Sequence, residues 1–288
     1  MRNVRQIAKE LYPACFEVDQ EIAGHSQERA AVFARGNAKR HARTVQVLLE
    51  QSKRYRNESM RVINASGMSA GHQDFSVVEY LRNRAGISVD WTAFESPRSP
   101  YLEHPRHRER ADRLGIRIIL SDFSRSDRLY GEEEGAYDVG IFTEVAEHLD
   151  HSVLLQAFKA LHRILREDGV LLLTTPNMVS LPNRLRVLLG NGDGPYFGDG
   201  QANLEAGLYG HIALYDARRM ERLLGDAGFR VLSAKTFNSY FLKSFRDAPQ
   251  EWLAGKALDL LAQMIPNGGG TLQVLAGKGD RRPVPFAT

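Results

Sequence analysis

From residue 61 onward, short apolar segments alternate with amphipathic ones along almost the whole chain. Short apolar runs predict strands, and apolar residues that recur three and four positions apart predict helices. Alternation of this kind is typical of a doubly wound, mainly parallel sheet with helices on both faces. The segments predicted as strands are RVINA, SVDWTAFE, RIILSDF, YDVGIFTEV, GVLLLTTPN, FRVLSAKTF and TLQVLAGK. The sequence therefore predicts an α/β fold built on a seven-stranded sheet.

The predicted sheet is preceded by helices and interrupted by two insertions. Residues 1–57 have the apolar spacing of helices, and we predict that they form a cap on the α/β domain of residues 58–288. The glycine-rich insertion 178–212 predicts a helix and a long loop, which in a compact domain is usually a functional lid. The insertion 241–270 predicts a helix before the last strand. We expect both insertions to cover the site.

The composition is that of an ordinary globular protein. Hydrophobic residues make up 43% of the 288 positions, and the net charge of +3 does not by itself demand a nucleic-acid partner. No apolar run approaches the roughly 18 residues of a membrane span, and the N-terminus lacks the pattern of a signal peptide. Cys15 is the single cysteine, which fits a reducing compartment. We expect a cytoplasmic protein without a membrane span.

Two runs rich in basic residues are RGNAKRHAR at 35–43 and EHPRHRER at 103–110. The first is a candidate nucleic-acid patch, but such runs on helices more often form a solvated face. We therefore predict that both runs are solvent-exposed helix surfaces. We also expect the second run to lie away from the ligand crevice.

The first strand runs into the small-residue stretch NASGMSAG, which begins at Asn64. Its GMSAG part matches the nucleophile elbow of α/β-hydrolases, which would make Ser69 a nucleophile. An elbow requires an earlier strand to carry the oxyanion loop, whereas only helices precede this strand. The alternative is a turn whose small residues let the backbone approach a cofactor. We therefore predict a cofactor loop that contains Asn64, Ala65, Ser66 and Gly67.

Further polar or aromatic residues end the next strands. Glu95 ends the second strand, where a doubly wound fold places a carboxylate against ribose hydroxyls. Asp122 and Phe123 end the third, and they suit the amino group and the ring face of an adenine. Thr143 ends the fourth. We predict that all four contact the cofactor, because the carboxyl ends of parallel strands share one edge of the sheet.

Carboxylates and imidazoles cluster after the fourth strand. Glu144, Glu147 and His148 stand at i, i+3 and i+4, so they would share one face if a helical turn begins there. His211 ends the predicted lid and could fold back over the same crevice. Two carboxylates and two imidazoles would supply four ligands of an octahedral site for Mg²⁺, Mn²⁺ or Zn²⁺, with room for water or substrate oxygens. The alternative is a metal-free site in which His148 or His211 is the catalytic base.

The segment YDVGIFTEVAEHLDHSVLLQAFKALHRILREDGVLLLTTPN, residues 137–177, resembles the class I S-adenosylmethionine-dependent methyltransferases. It is most similar to the branch with the ubiquinone-biosynthesis O-methyltransferases, in which a strand leads into E-x-x-E-H, a helix and a strand ending in TPN. The resemblance covers roughly residues 60–278. It implies a Rossmann-like fold and S-adenosylmethionine as the cofactor. The first loop departs from the family, because Asn64 stands where an acidic residue is usual.

The resemblance also implies a chemistry. A similar E-x-x-E-H…H set binds a divalent metal in the small-RNA 3′-terminal 2′-O-methyltransferases and in some ubiquinone-pathway relatives. There the metal holds vicinal oxygens of the acceptor and acidifies one of them. The implied reaction is in-line displacement, in which an acceptor oxygen attacks the sulfonium methyl. We expect O-methylation of a small hydroxylated metabolite, such as a sugar, a polyol or a phenol.

Two other functions stay open at this point. One is methylation of an RNA 3′-terminal ribose, which would need a basic channel beside the crevice, with RGNAKRHAR as its candidate. The other is a non-catalytic binding protein with a degenerate cofactor loop. The expected partner is a small-molecule acceptor, and the N-terminal helices could pair in a homodimer. Aromatic residues near the lid are candidates for the acceptor pocket: Tyr196, Phe197, Tyr209 and Tyr215.

Overall fold

A seven-stranded sheet forms the centre of the computed structural model, which describes residues 3–55, 58–67, 71–97, 99–121, 131–190, 211–238 and 249–278. Its order is β3-β2-β1-β4-β5-β7-β6, and β7 alone runs antiparallel to its neighbours. The strands are β1 (Met60–Asn64), β2 (Val89–Glu95), β3 (Arg117–Leu120), β4 (Tyr137–Thr143), β5 (Leu165–Pro176), β6 (Phe229–Phe237) and β7 (Thr271–Lys278). The predicted α/β fold with a mainly parallel seven-stranded sheet is confirmed.

Helices flank this sheet at the places that the apolar spacing predicts. They are α1 (Val4–Glu21), α2 (Gln27–Gln51), α3 (His72–Asn83), α4 (Pro105–Arg113), α5 (His151–Ile164), α6 (Leu181–Leu188), α7 (Ala217–Asp226) and α8 (Pro249–Met264). Their ends follow local chemistry. Asp150 caps α5 by accepting the backbone N–H groups of Ser152 and Val153, and Gly228 follows α7 with φ of 95°.

The order of the strands fixes where a ligand can bind. β1 pairs in parallel with β2 on one side and with β4 on the other, so the chain leaves β1 in one direction and later returns in the other. At such a reversal the connections diverge and leave a crevice outside the carboxyl ends of the strands. β5 pairs in parallel with β4 and ends at the same edge. The residues that follow β1, β4 and β5 therefore meet at one crevice.

The two N-terminal helices share a hydrophobic core with the sheet. Apolar residues of α1 and α2, such as Leu11 and Val45, are buried in the same cluster as Phe75 of α3 and Val62 of β1. The predicted helical cap thus packs directly on α3, beside the loop that leaves β1. This packing brings the polar face of α2 to the carboxyl edge of the sheet.

The two basic runs are only in part the solvated surfaces that the sequence predicts, because Lys39, Arg106 and Arg108 are exposed whereas one face of each helix is buried. In RGNAKRHAR, Asn37, His41 and the alanines are buried, because one face of α2 packs on the body of the protein. In EHPRHRER, His107 and Arg110 are buried under α1 and α3, where Arg110 pairs with Glu79 at 2.8 Å. In a sequence rich in charged residues the helical period is difficult to recognise. The buried residues lie on one face of each helix.

The insertions are described in part. The predicted helix of the first insertion is α6, and that of the second is α8. Residues 191–210 and 241–248 of these insertions lie outside the described residues. In the part of the chain that the structure describes, no helix is long and apolar enough to cross a membrane.

Replacing Gly71 with Ala is expected to destabilise the fold by about 3 kcal/mol or more. Gly71 precedes α3 with φ of +84°, which disfavours a side chain by about 1–2 kcal/mol. An added Cβ would also lie 2.3 Å from the buried Phe75 ring, and overpacking of this kind costs about 1–3 kcal/mol. The free energy of unfolding from urea titration measures the change.

Gly24→Ala is the matched control for this substitution. Gly24 has φ of +68°, and nothing lies within 4 Å of the Cβ that Ala would add. We expect a loss of about 1–2 kcal/mol, which isolates the backbone effect. Equal losses in the two variants would show that contact with Phe75 contributes nothing.

Candidate active site

A cavity of about 250 Å³ lies at the carboxyl edge of β1 and β4. Its floor is formed by the loop after β1, the N-terminus of α3 and the ends of β4 and β5. Its remaining wall comes from the polar face of α2. The lining residues are Asn37, Arg40, His41, Thr44, Ser66, Gly67, His72, Gln73, Thr143, Glu144 and Thr174. The cavity therefore combines predicted cofactor residues with residues of the cap that the sequence reasoning did not select.

The loop after β1 is held against the end of β4. The Ser66 hydroxyl accepts the Thr143 backbone N–H at 2.8 Å and lies 3.0 Å from the Thr143 hydroxyl. Ala65 is buried, and its N–H donates to the Ile141 carbonyl. Gly67 has φ of +78°, and a Cβ there would lie 4.0 Å from Glu95 Oε1. The structure thus brings Ser66, Gly67, Glu95 and Thr143 together.

Asn64 is buried and bonds to a carboxylate that the sequence reasoning missed. Its Nδ2 donates to Asp74 Oδ1 at 2.9 Å, and its Oδ1 accepts the Ser66 N–H. Trp91 Nε1 also donates to Asp74 Oδ1, at 2.6 Å. A carboxylate is therefore present beneath this loop, ten residues after Asn64. The available signal was an acidic residue in the first turn of a helix that follows a glycine loop.

Burial outweighs these hydrogen bonds in setting the protonation of Asp74. Removal from water raises the pKa of the Asp74 carboxyl to about 6, although Asn64 and Trp91 donate to it. The carboxyl is thus close to half protonated in the mildly acidic range. Its charge bears on the shape of the loop, because Asn64 links it to Ser66.

The spacing predicts that Glu144 shares a helical turn with Glu147 and His148. In the structure Glu144 lies outside that turn. It has a left-handed backbone with φ of 56°, and the following 3₁₀ turn contains only Ala146–His148. Its carboxylate accepts from the Thr174 hydroxyl at 2.8 Å and pairs with Arg40 at 3.2 Å. The predicted helical turn therefore does not include Glu144, because the turn begins only at Ala146.

Glu147, His148 and His211 do come together. Their candidate ligand atoms lie within 4.8 Å of one another, and the two imidazole Nε2 atoms are each 4.0 Å from Glu147 Oε1. The backbone carbonyl of Glu147 accepts the N–H groups of Ile212 and Ala213, which holds the segment with His211 in place. His211 thus lies beside Glu147 and His148, which follow the end of β4.

The environment of the cluster suits a cation. Thr175 donates to Glu147 Oε2 at 2.9 Å, whereas Glu147 Oε1 is buried and accepts no hydrogen bond from the residues that the structure describes. Burial, and then the charge of Glu144, raise the pKa of the Glu147 carboxyl. Burial, and then the neighbouring His148, lower the pKa of His211 to about 4, which favours the neutral imidazole that metals bind. A divalent ion among the three would satisfy Glu147 Oε1.

The other predicted contacts have different outcomes. Tyr215 is fully buried in the hydrophobic cluster that also contains residues of α5 and α7, so it does not line an acceptor pocket. The remaining residues of this kind lie outside the described part of the chain: Ser69, Asp122, Phe123, Tyr196, Phe197 and Tyr209.

The reversal of strand order at β1 and β4, with a small-residue loop above it, defines a Rossmann-like cofactor domain. The profile of a family described as a methyltransferase domain matches residues 56–234. Because the match spans more than half of the chain, the chain belongs to this family of methyltransferase domains. Its fold is that of the class I S-adenosylmethionine-dependent methyltransferases. The ubiquinone branch within that class stays a prediction.

Solved structures show the same fold. An S-adenosylmethionine-dependent methyltransferase from Clostridium acetobutylicum ATCC 824 is 12% identical with a TM-score of 0.53, over 91% of this chain and 96% of that one. The magnesium protoporphyrin IX methyltransferase of Synechocystis PCC 6803, solved with bound SAH, is 13% identical with a TM-score of 0.51, over 96% and 100%. No curated protein sequence matches this chain. These likenesses concern the fold.

Replacing Asp74 with Asn is expected to flatten the pH dependence of stability. A carboxyl whose pKa rises on folding favours the folded state below its unfolded pKa, near 4, and this contribution is lost as pH rises through about 6. The loss is at most about 3 kcal/mol for two pKa units. Urea titrations at pH 4.5 and pH 7.5 would show a smaller difference in Asp74→Asn than in the wild type.

Asp90→Asn serves as the control, because Asp90 is an exposed residue of β2. It should reproduce the wild-type pH dependence. If Asp74→Asn also reproduces it, the Asp74 carboxyl does not titrate in this window.

Proposed function

We propose that this protein transfers a methyl group from S-adenosylmethionine to a hydroxyl oxygen of a small metabolite, such as a sugar, a polyol or a phenol. The observation that carries the proposal is the cluster of Glu147, His148 and His211 beside the cofactor crevice. A hydroxyl is a weak nucleophile, so its transfer reaction needs a base or a Lewis acid close to the sulfonium methyl. This cluster offers the groups for either role.

In this proposal S-adenosylmethionine binds in the crevice after β1, and this binding site is here named the cofactor seat. Gly67 lets the backbone pass close to a ligand, and the buried Glu95 would accept hydrogen bonds from the ribose hydroxyls. Ser66 and Thr143 would position the amino-acid end, and Asn64 and Ala65 would hold the loop from below. The bound cofactor supplies the electrophilic methyl group. The SAH found in the Synechocystis structure supports a cofactor of this type.

Arg40 of α2 contributes a cationic side chain to the cofactor seat. It lines the same cavity and pairs with Glu144, which in turn accepts from Thr174. A guanidinium at this place would attract an anionic group of the ligand, and the cap would then close on the bound cofactor. The cap is thus proposed to be part of the site as well as a structural cover.

A divalent metal fits the donor set of the cluster. Glu147, His148 and His211 would hold it, and of Mg²⁺, Mn²⁺ and Zn²⁺ the two imidazoles favour Zn²⁺. The metal would supply Lewis-acid chemistry that lowers the pKa of a bound hydroxyl. Glu144 is bonded to Thr174 and paired with Arg40, so its predicted role as a fourth ligand would require those contacts to change.

Without a metal, His148 or His211 would act as the base. The acceptor oxygen forms a bond to the methyl carbon while the carbon–sulfur bond breaks. The electron pair of that bond stays on sulfur, and the hydroxyl proton moves to an imidazole nitrogen. Alignment of acceptor and methyl supplies much of the rate enhancement, about 7–11 kcal/mol in well-oriented intramolecular reactions.

Two alternative functions make different predictions about ligand binding and turnover. A non-catalytic binding protein would show no affinity for S-adenosylhomocysteine. Methylation of an RNA 3′-terminal ribose would require single-stranded RNA to be the acceptor that is turned over.

Calorimetric titration with S-adenosylhomocysteine should give one-to-one binding, weakened about tenfold by Glu95→Gln. The substitution keeps the shape but removes the charge that strengthens hydrogen bonds to ribose hydroxyls, and tenfold corresponds to about 1.4 kcal/mol. Glu103→Gln is the control, since Glu103 is an exposed residue that pairs with Arg108. Absence of binding in the wild type, also with Zn²⁺ present, would refute the cofactor seat.

Titration with Zn²⁺ should show one saturable site, with affinity reduced at least tenfold in Glu147→Gln and in His211→Ala. Each variant removes one of three ligands, and metal affinity depends on every ligand of so small a set. His151→Ala is the control, because His151 is exposed at the start of α5 and outside the cluster. Equal affinity in all four proteins would leave the metal-free base as the mechanism.

A further inference from the structure

A second, larger cavity of about 1020 Å³ lies on the far side of α2. Its walls come from α1, α2, the edge strand β6 and α8 together with the turn that follows α8. Lys39 and Arg43 of α2 face this cavity, whereas Arg40 and Thr44 of the same helix face the cofactor crevice. The two cavities are therefore separated by about the width of one helix, roughly 10 Å.

The lining of the large cavity carries an excess of positive charge. Five cations come from four different elements: Arg5, Lys39, Arg43, Lys235 and Lys256. Asp259 is the single carboxylate among the described lining residues. Burial raises the pKa of Asp259, which makes its negative charge easier to neutralise. Desolvation, and then the charge of Lys256, lower the pKa of Lys39, as expected where like charges converge.

One of these cations is held in a fixed orientation. The Arg43 guanidinium lies over the ring of Phe237, 4.1 Å from its centroid. Stacking on an aromatic face restricts the side chain while the N–H donors stay in the guanidinium plane, which suits bidentate binding of an oxyanion. Phe237 is buried at the end of β6, so this arrangement is anchored in the core.

We propose that this cavity binds a phosphate-bearing small molecule. Cations on four elements are brought together around a space of drug-sized volume, and one carboxylate does not balance them. A phosphate or diphosphate group accepts hydrogen bonds from several Lys and Arg donors at once, whereas one carboxylate engages fewer of them. The phosphate belongs either to the methyl acceptor itself or to a separate metabolite. The site is independent of the proposed cofactor seat.

The test is calorimetric titration with pyrophosphate at low and at physiological salt. We expect one-to-one binding that weakens about tenfold in Lys235→Gln and more in Lys235→Gln/Lys256→Gln, and that falls with ionic strength. Arg230→Gln is the matched control, since Arg230 is an exposed cation of the same strand β6 but does not line the cavity. The same samples are titrated with S-adenosylhomocysteine, whose binding these variants should leave unchanged.

Several outcomes would overturn the assignment. Absence of saturable pyrophosphate binding would do so, and so would an equal loss in Arg230→Gln, which indicates general surface charge. A single-stranded oligoribonucleotide that binds at least tenfold more tightly than pyrophosphate, and loses that affinity in the double variant, would replace the small ligand by RNA. Wild-type protein that binds pyrophosphate but not S-adenosylhomocysteine would refute the cofactor seat only, and the phosphate site would stand.

The source of the phosphate is distinguished by turnover. Hydroxylated sugars are offered with and without a phosphate group, and methyl transfer from S-adenosylmethionine is followed. A preference for the phosphorylated form that disappears in Lys235→Gln assigns the site to the acceptor. Equal turnover of both forms, together with pyrophosphate binding, assigns it to a separate metabolite.

Discussion

The parallel pairing of β1 with β4 is the constraint on which the rest of this site depends. It places the ends of the two strands side by side, and the hydrogen bonds between Ser66 and Thr143 then fix the loop after β1 to the end of β4. Glu144 and the Glu147 turn follow directly from that end. Because these residues share one anchoring point, a shift in the β1–β4 register would move the cofactor loop and the carboxylate cluster together.

The helix α2 gives the site its second wall and links it to the proposed phosphate cavity. One face of the helix packs in the core, and neighbouring residues on its flanks point into two different cavities. A helix turns by about 100° per residue, so Lys39 and Arg40 necessarily face different directions. A ligand in either cavity would contact the same turns of α2.

Burial of carboxyl groups is a recurring feature around the crevice. Asp74 lies below the loop, Glu95 at the end of β2 and Glu147 beside the imidazoles, and all three are almost fully removed from water. A buried carboxylate is unfavourable unless donors or cations compensate it. Asp74 Oδ1 accepts from Asn64 and Trp91, and Glu147 Oε2 accepts from Thr175, whereas the second oxygen of each carboxyl accepts no hydrogen bond from the described residues. Glu147 Oε1 differs in lying 4.0 Å from two imidazole nitrogens, which is the physical reason for assigning a ligand to that cluster.

The sequence by itself determined the strands, the helices and the mainly parallel sheet, because apolar periodicity and caps such as Asp150 act over a few residues. It also placed Glu95, Thr143 and the first loop at one edge, since parallel strands end together. Only the tertiary structure decided that Asp74 meets Asn64, that Arg40 pairs with Glu144, and that Tyr215 and much of 35–43 are buried. These contacts depend on how helices pack on the sheet, which no local pattern encodes, and the Arg40–Glu144 pair joins residues far apart in the chain.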